Sequence, residues 1–70
     1  MNTELANSIR EGMTLCNSLI SDTKKDEELF SKAMKGDVLG IYLEKSRGTL
    51  ESLCELQRMI SALMQEEGLL

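Results

Sequence analysis

From Leu5 onward, apolar residues recur at spacings of three and four: Leu5, Ile9, Met13, Cys16, Leu19 and Ile20. That period places them on one side of a helix. Arg10, Glu11, Thr14 and Asn17 fall on the other side. Asn2 or Thr3 suits a helix cap, and Glu4 suits the positive end of the first turn. The rhythm runs without a slip through positions 5, 9, 12, 16, 19, 23, 26, 30 and 33, which predicts one helix over residues 3–35. The polar stretch SDTKKDEE, residues 21–28, admits a second reading. Thr23 to Asp26 resembles a capping box, so the chain either runs through or bends near residues 21–26 and starts a new helix there. The bend would let three helices wrap one core.

The pattern is interrupted at AMKGDVLG, residues 33–40. Lys35 suits the negative end of a helix dipole, Gly36 takes a left-handed conformation readily, and Asp37 is a good cap for a following helix. A short link of this kind joins antiparallel neighbours. A second helix is predicted over residues 38–67, with Gly68 past its end and Leu69 folding back onto Met64 or Leu63. The expected architecture is therefore all-α, a single domain over residues 1–70. It is an antiparallel helical hairpin turning at Gly36-Asp37, in which residues whose numbers sum to about 73 lie level.

The second helix carries more apolar residues than one seam uses. Leu39, Leu43, Leu50, Leu53, Ile60 and Met64 form one stripe, and Tyr42, Thr49, Leu56, Met59 and Leu63 lie beside it. One helix laid against another covers one stripe. A second stripe left in water would be a sticky surface, so the hairpin is expected to be completed by a partner chain or a second copy. The residues expected to make protein contacts are Tyr42, Thr49, Leu56, Met59 and Leu63. Ile9, Met13 and Leu19 are expected to form the intramolecular or shared seam.

Composition narrows the function. The chain has 70 residues, no histidine and no proline, and a formal net charge of −4. A domain this small buries little core and is often completed by a disulfide, a metal or a partner. Two cysteines 38 positions apart and no histidine argue against a metal site. No basic and apolar leader opens the sequence, so the expected compartment is the cytoplasm, where Cys16 and Cys54 stay reduced as small hydrophobes. The basic residues are scattered and outnumbered, and one Tyr and one Phe make no stacking platform, which argues against nucleic-acid binding. The apolar run VLGIYL is too short for membrane insertion. Without histidine there is no Ser-His-Asp or Cys-His arrangement, and no phosphate-cradling glycine loop occurs. The residues therefore point to a non-enzymatic binding protein with no catalytic residue, metal or cofactor.

The stretch ELFSKAMKGDVLGIYLEKSRGTLESLCELQ, residues 28–57, resembles small flagellar and type III secretion export chaperones and needle co-chaperones. The resemblance rests on a helix, a Gly-Asp turn and a second helix with an E-x-x-R-x-x-L phrase. The matching residues are Leu29, Ala33, Gly36, Asp37, Leu43, Glu44, Arg47, Leu50 and Leu53. It implies a cytosolic chaperone that masks an amphipathic helix of a secretion-system client. A self-associating structural or regulatory protein, forming a homodimeric four-helix bundle from two hairpins, accounts for the same surplus stripe. So does a small protein inhibitor.

Overall fold

A computed structural model describes residues 3–70. Two helices of 31 residues each, α1 (Thr3–Ala33) and α2 (Gly36–Glu66), lie antiparallel as a rod of 51 × 16 × 14 Å. The hairpin expected from the sequence is what forms. The bend does not occur: α1 is continuous through residues 21–28. Thr23 does not cap a new helix there. Its hydroxyl instead donates to the Leu19 carbonyl at 2.8 Å, one turn back within α1. A Thr hydroxyl satisfied in this way leaves the helical backbone bonds in place.

The turn is built by Gly36, which has φ +65°. An L side chain disfavours that conformation, and glycine adopts it freely. Two details differ from expectation. Lys35, with extended backbone, occupies the N-cap position of α2 and makes no side-chain cap bond. Asp37 lies inside the first turn, where its charge favours the helix dipole without capping an N–H. At the start of α1, Asn2 lies outside the described residues, and Thr3 is already helical.

The far end of α2 closes as expected. Gly68 has φ +70°, its N–H bonds the Gln65 carbonyl at 3.1 Å, and the Leu69 N–H bonds the Met64 carbonyl at 2.8 Å. This paired pattern satisfies the last carbonyls and turns Leu69 back to a half-buried position.

The seam of α1 differs by one residue from the expected rhythm. It runs through the buried and half-buried positions 6, 9, 13, 16, 20, 23, 27 and 30, with Gly12 also half-buried beside it. In a seven-residue repeat lettered a to g, these alternate between a (Ala6, Met13, Ile20, Glu27) and d (Ile9, Cys16, Thr23, Phe30). Leu5, Leu19, Asp26 and Ala33, which the sequence rhythm placed in the seam, are exposed at g. Along α2 the seam positions 39, 43, 46, 50, 53, 57, 60 and 64 keep the expected stripe and add Ser46 and Gln57. Cys16, 2% exposed, is the most buried apolar residue among those described, and its thiol donates to the Leu53 carbonyl at 3.4 Å. Neither Cys16 nor Cys54 is in a disulfide.

Candidate functional site

Cross-seam contacts fix the register and the two faces of the rod. Gln57 Nε2 donates to Asn17 Oδ1 at 2.7 Å, Arg47 Nε lies 4.0 Å from Glu27 Oε1, and the Phe30 ring stacks on Tyr42. Residue n of α1 therefore lies level with about residue 73 − n of α2, as the turn position implied. In an antiparallel pair the two e positions share one side of the seam and the two g positions share the other.

The e side is polar. Arg10, Asn17 and Lys24 of α1 meet Arg47, Cys54 and Ser61 of α2 there. A shallow groove on this side runs between Met13 and Asn17 on α1 and Gln57, Arg58 and Ser61 on α2. The g side, with the adjoining c positions, carries exposed large apolar residues on both helices. Leu19 at g and Leu15 and Leu29 at c represent α1, while Leu56 and Leu63 at g and Met59 at c represent α2. All six are exposed, between 39% and 65%. By the register Leu15 and Leu19 stand level with residues 58 and 54, so the two stripes merge into one face. Toward the loop, a depression lined by Asp26, Leu29, Phe30, Ala33 and Tyr42 extends the same side.

The residues expected to touch a partner divide accordingly. Leu56, Met59, Leu63 and Thr49 are exposed on this face together. Thr49 contributes little, because its hydroxyl already donates to the Lys45 carbonyl at 3.1 Å. Tyr42 is half-buried against Phe30 and lines the depression at the loop end of this side. Ile9 and Met13 lie in the intramolecular seam, half-buried. Leu19 is not in that seam; it is 52% exposed and belongs to the open face. Sequence reasoning missed Leu15 and Leu29. Their signal was the fourteen-residue spacing between them, two full heptads, four positions before Leu19 and Ala33.

Gly12 lies on the same side, between Leu5 and Leu19 in register. A Cβ built there meets nothing within 4 Å, so the glycine is not required for the two helices to approach. Among the described residues no helix is long and apolar enough to cross a membrane, and no group of three or more Cys, Asp or Glu side chains is placed to hold a metal ion. No family model matches the chain, and neither a curated protein nor a solved structure is found to be similar to it.

Proposed function

We propose that this chain is a non-enzymatic helical binding protein that works by receiving helices of another polypeptide on the face formed by Leu15, Leu19, Leu56, Met59 and Leu63. A single observation carries the reading. Most of the large apolar residues left exposed outside the seam gather on one side of the rod, Ile41 on the outer surface of α2 being an exception, while the e side of the seam is polar. Random surface leucines would scatter, whereas a contiguous apolar face rimmed by polar residues marks an interaction surface. Helix docking onto an apolar face is the recognition mode that suits it, because a row of exposed apolar side chains from each helix flanks the seam on this side. Masking of an amphipathic client helix in the cytoplasm, as the likeness to export chaperones implies, is one form of this function.

The test compares the two faces directly. A photo-reactive amino acid is placed at Met59 in one variant and at Arg58, on the polar side, in another, and each is irradiated in the native cell. Covalent adducts to a polypeptide, whether another chain or a second copy, are expected from position 59 and not from position 58. Equal yields from both positions, or none from 59, reject the reading.

A further inference from the structure

We infer that the occupant of the apolar face is a second copy of this chain. The two hairpins pack face to face about a two-fold axis parallel to the helices and form a four-helix bundle. The inference rests on the binding reading above and adds the identity and geometry of the partner.

The first argument is area. Six side chains at their observed exposures leave on the order of 600 Å² of apolar surface per chain, so a symmetric pair removes on the order of 1,200 Å² from water, where specific stable interfaces begin. An interface between like faces also needs no other shape than the one already present, because a two-fold interface uses the same patch on both subunits.

The second argument is complementarity. A two-fold axis along the rod sets α1 of one copy against α2 of the other. Level positions then meet, so Leu15 and Leu19 of one chain come onto Leu56 and Met59 of its partner, and the reverse holds by symmetry. The same operation decides the charges. Asp22, Asp26, Lys45 and Glu66 are the charged residues at g and c positions of the two helices. Asp26 is level with about residue 47, so it stands within roughly 3 Å along the axis of Lys45 on the facing α2, given 1.5 Å per residue. Two opposite-charge pairs result. Asp22 comes level with Ser52 of the other copy, and Glu66 lies at the open end of the rod. An axis across the helices instead stacks α1 on α1, whose g and c positions carry Asp22 and Asp26 and no basic residue. The same axis stacks α2 on α2, where Lys45 and Glu66 stand; Asp22 and Asp26 gain no opposite charge in that packing, whereas the axis along the helices pairs Asp26 with Lys45.

Within one chain Asp26 and Lys45 sit on different helices at g and c, with Lys45 turned to the outer edge of the face. The distinction between a pair made within a chain and one made between chains can therefore be measured. The purified chain is expected to sediment at twice its 7.8 kDa mass at micromolar concentration. Asp26→Lys alone and Lys45→Asp alone each place like charges across the interface, and each is expected to raise the dimer dissociation constant about tenfold. Mixing the two variants restores both attractions only in the mixed pair, which is expected to form in preference to either homodimer. Far-UV circular dichroism confirms that both variants stay helical.

A monomer at all concentrations overturns the inference; if position 59 still yields adducts with another protein in the cell, the binding reading stands without it. A dimer whose strength ignores both charge reversals, or whose variants show no preference for mixing, overturns the two-fold arrangement along the helices. A monomer together with no adduct from position 59 overturns both.

Discussion

Phe30 and Tyr42 stack nearly face to face, with ring centroids 3.9 Å apart and planes 15° from parallel, across the last turn of α1 and the second turn of α2. They are the chain's aromatic residues. Their position next to the Gly36 turn means that each ring shields the other where the seam has little else to bury. An aromatic pair contributes about 0.5–1.5 kcal/mol beyond the area it covers. A double-mutant cycle with Phe30→Leu and Tyr42→Leu, read by urea unfolding, is expected to give a coupling energy in that range. Additive single effects would show that the rings merely fill space.

The glycines separate into two kinds. Gly36 takes φ +65°, and a Cβ there suffers backbone strain although nothing lies nearby. Gly36→Ala should destabilise the hairpin by about 1–2 kcal/mol. Gly12 and Gly48 are helical, with open space around the added Cβ. Replacement of either with alanine should stabilise by up to ~1 kcal/mol, the helix-propensity difference. For Gly48, which faces outward at f, the gain should appear at every protein concentration. A loss of stability in Gly48→Ala would mean that the position serves a contact outside the hairpin.

Most of the fold was legible in the sequence, and the α1 seam was not, for a physical reason. Helix α1 is apolar at c, g, d and a in its first half: Leu15, Leu19, Cys16 and Ile20 are four faces of one broad arc. A three-four rhythm through d and g fits that arc as well as one through a and d. Periodicity alone therefore admits two seams, and only the partner stripe on α2 selects between them. The hairpin uses a and d, which buries Ala6, half-buries Ile20 and leaves Leu19 outside. Helix α2 shows two adjacent stripes in the sequence, and the one running through Leu39, Leu43, Leu50, Leu53, Ile60 and Met64 is the seam. The Phe30–Tyr42 stack was not legible, because the Tyr42 ring reaches sideways to Phe30 and the reach of a side chain is not encoded in spacing. The open face itself followed from counting, since one helix cannot cover two stripes.

Ser46 occupies a d position of α2, buried, and its hydroxyl has no hydrogen-bond partner. A desolvated hydroxyl without a partner costs about 1–3 kcal/mol relative to a satisfied one. Ser46→Ala removes that group, keeps the small volume that lets the helices approach, and adds helix propensity. The variant should unfold at higher urea concentration, with a gain on the order of 1 kcal/mol. An unchanged or lowered midpoint would show that the hydroxyl is satisfied in solution.

The cysteines differ in access. Cys16 is buried in the seam with its thiol on the Leu53 carbonyl, while Cys54 is half-buried at the polar edge. Under native conditions, iodoacetamide should label Cys54 well before Cys16, and urea should equalise the two. Mass spectrometry of the labelled peptides gives both rates. Equal labelling in the folded state would mean that the seam opens around Cys16 as readily as the edge does around Cys54.

Glu27 is the one carboxylate at an a position of α1, and its side chain is 18% exposed, whereas its partner Arg47 is 72% exposed at 4.0 Å. So long a contact with so exposed an arginine contributes little, under ~0.5 kcal/mol. Arg47→Ala should therefore leave stability nearly unchanged. Glu27→Leu should do more, because it places an apolar side chain in a seam site now holding a charge. Half-burial of a leucine is worth about 1 kcal/mol, judged against 1.5–3 kcal/mol for full burial, so the expected outcome is a more stable hairpin. A charge in that place also specifies register. A polar group in a seam position tolerates few alternative alignments, and Glu27 meets Arg47 only when residues summing to about 73 are level. Glu27→Leu should thus raise the urea midpoint while broadening the cross-seam amide and methyl resonances near Phe30 and Tyr42 in NMR spectra. Sharp resonances at the higher midpoint would show that the aromatic stack and the Asn17–Gln57 bond hold the register without Glu27.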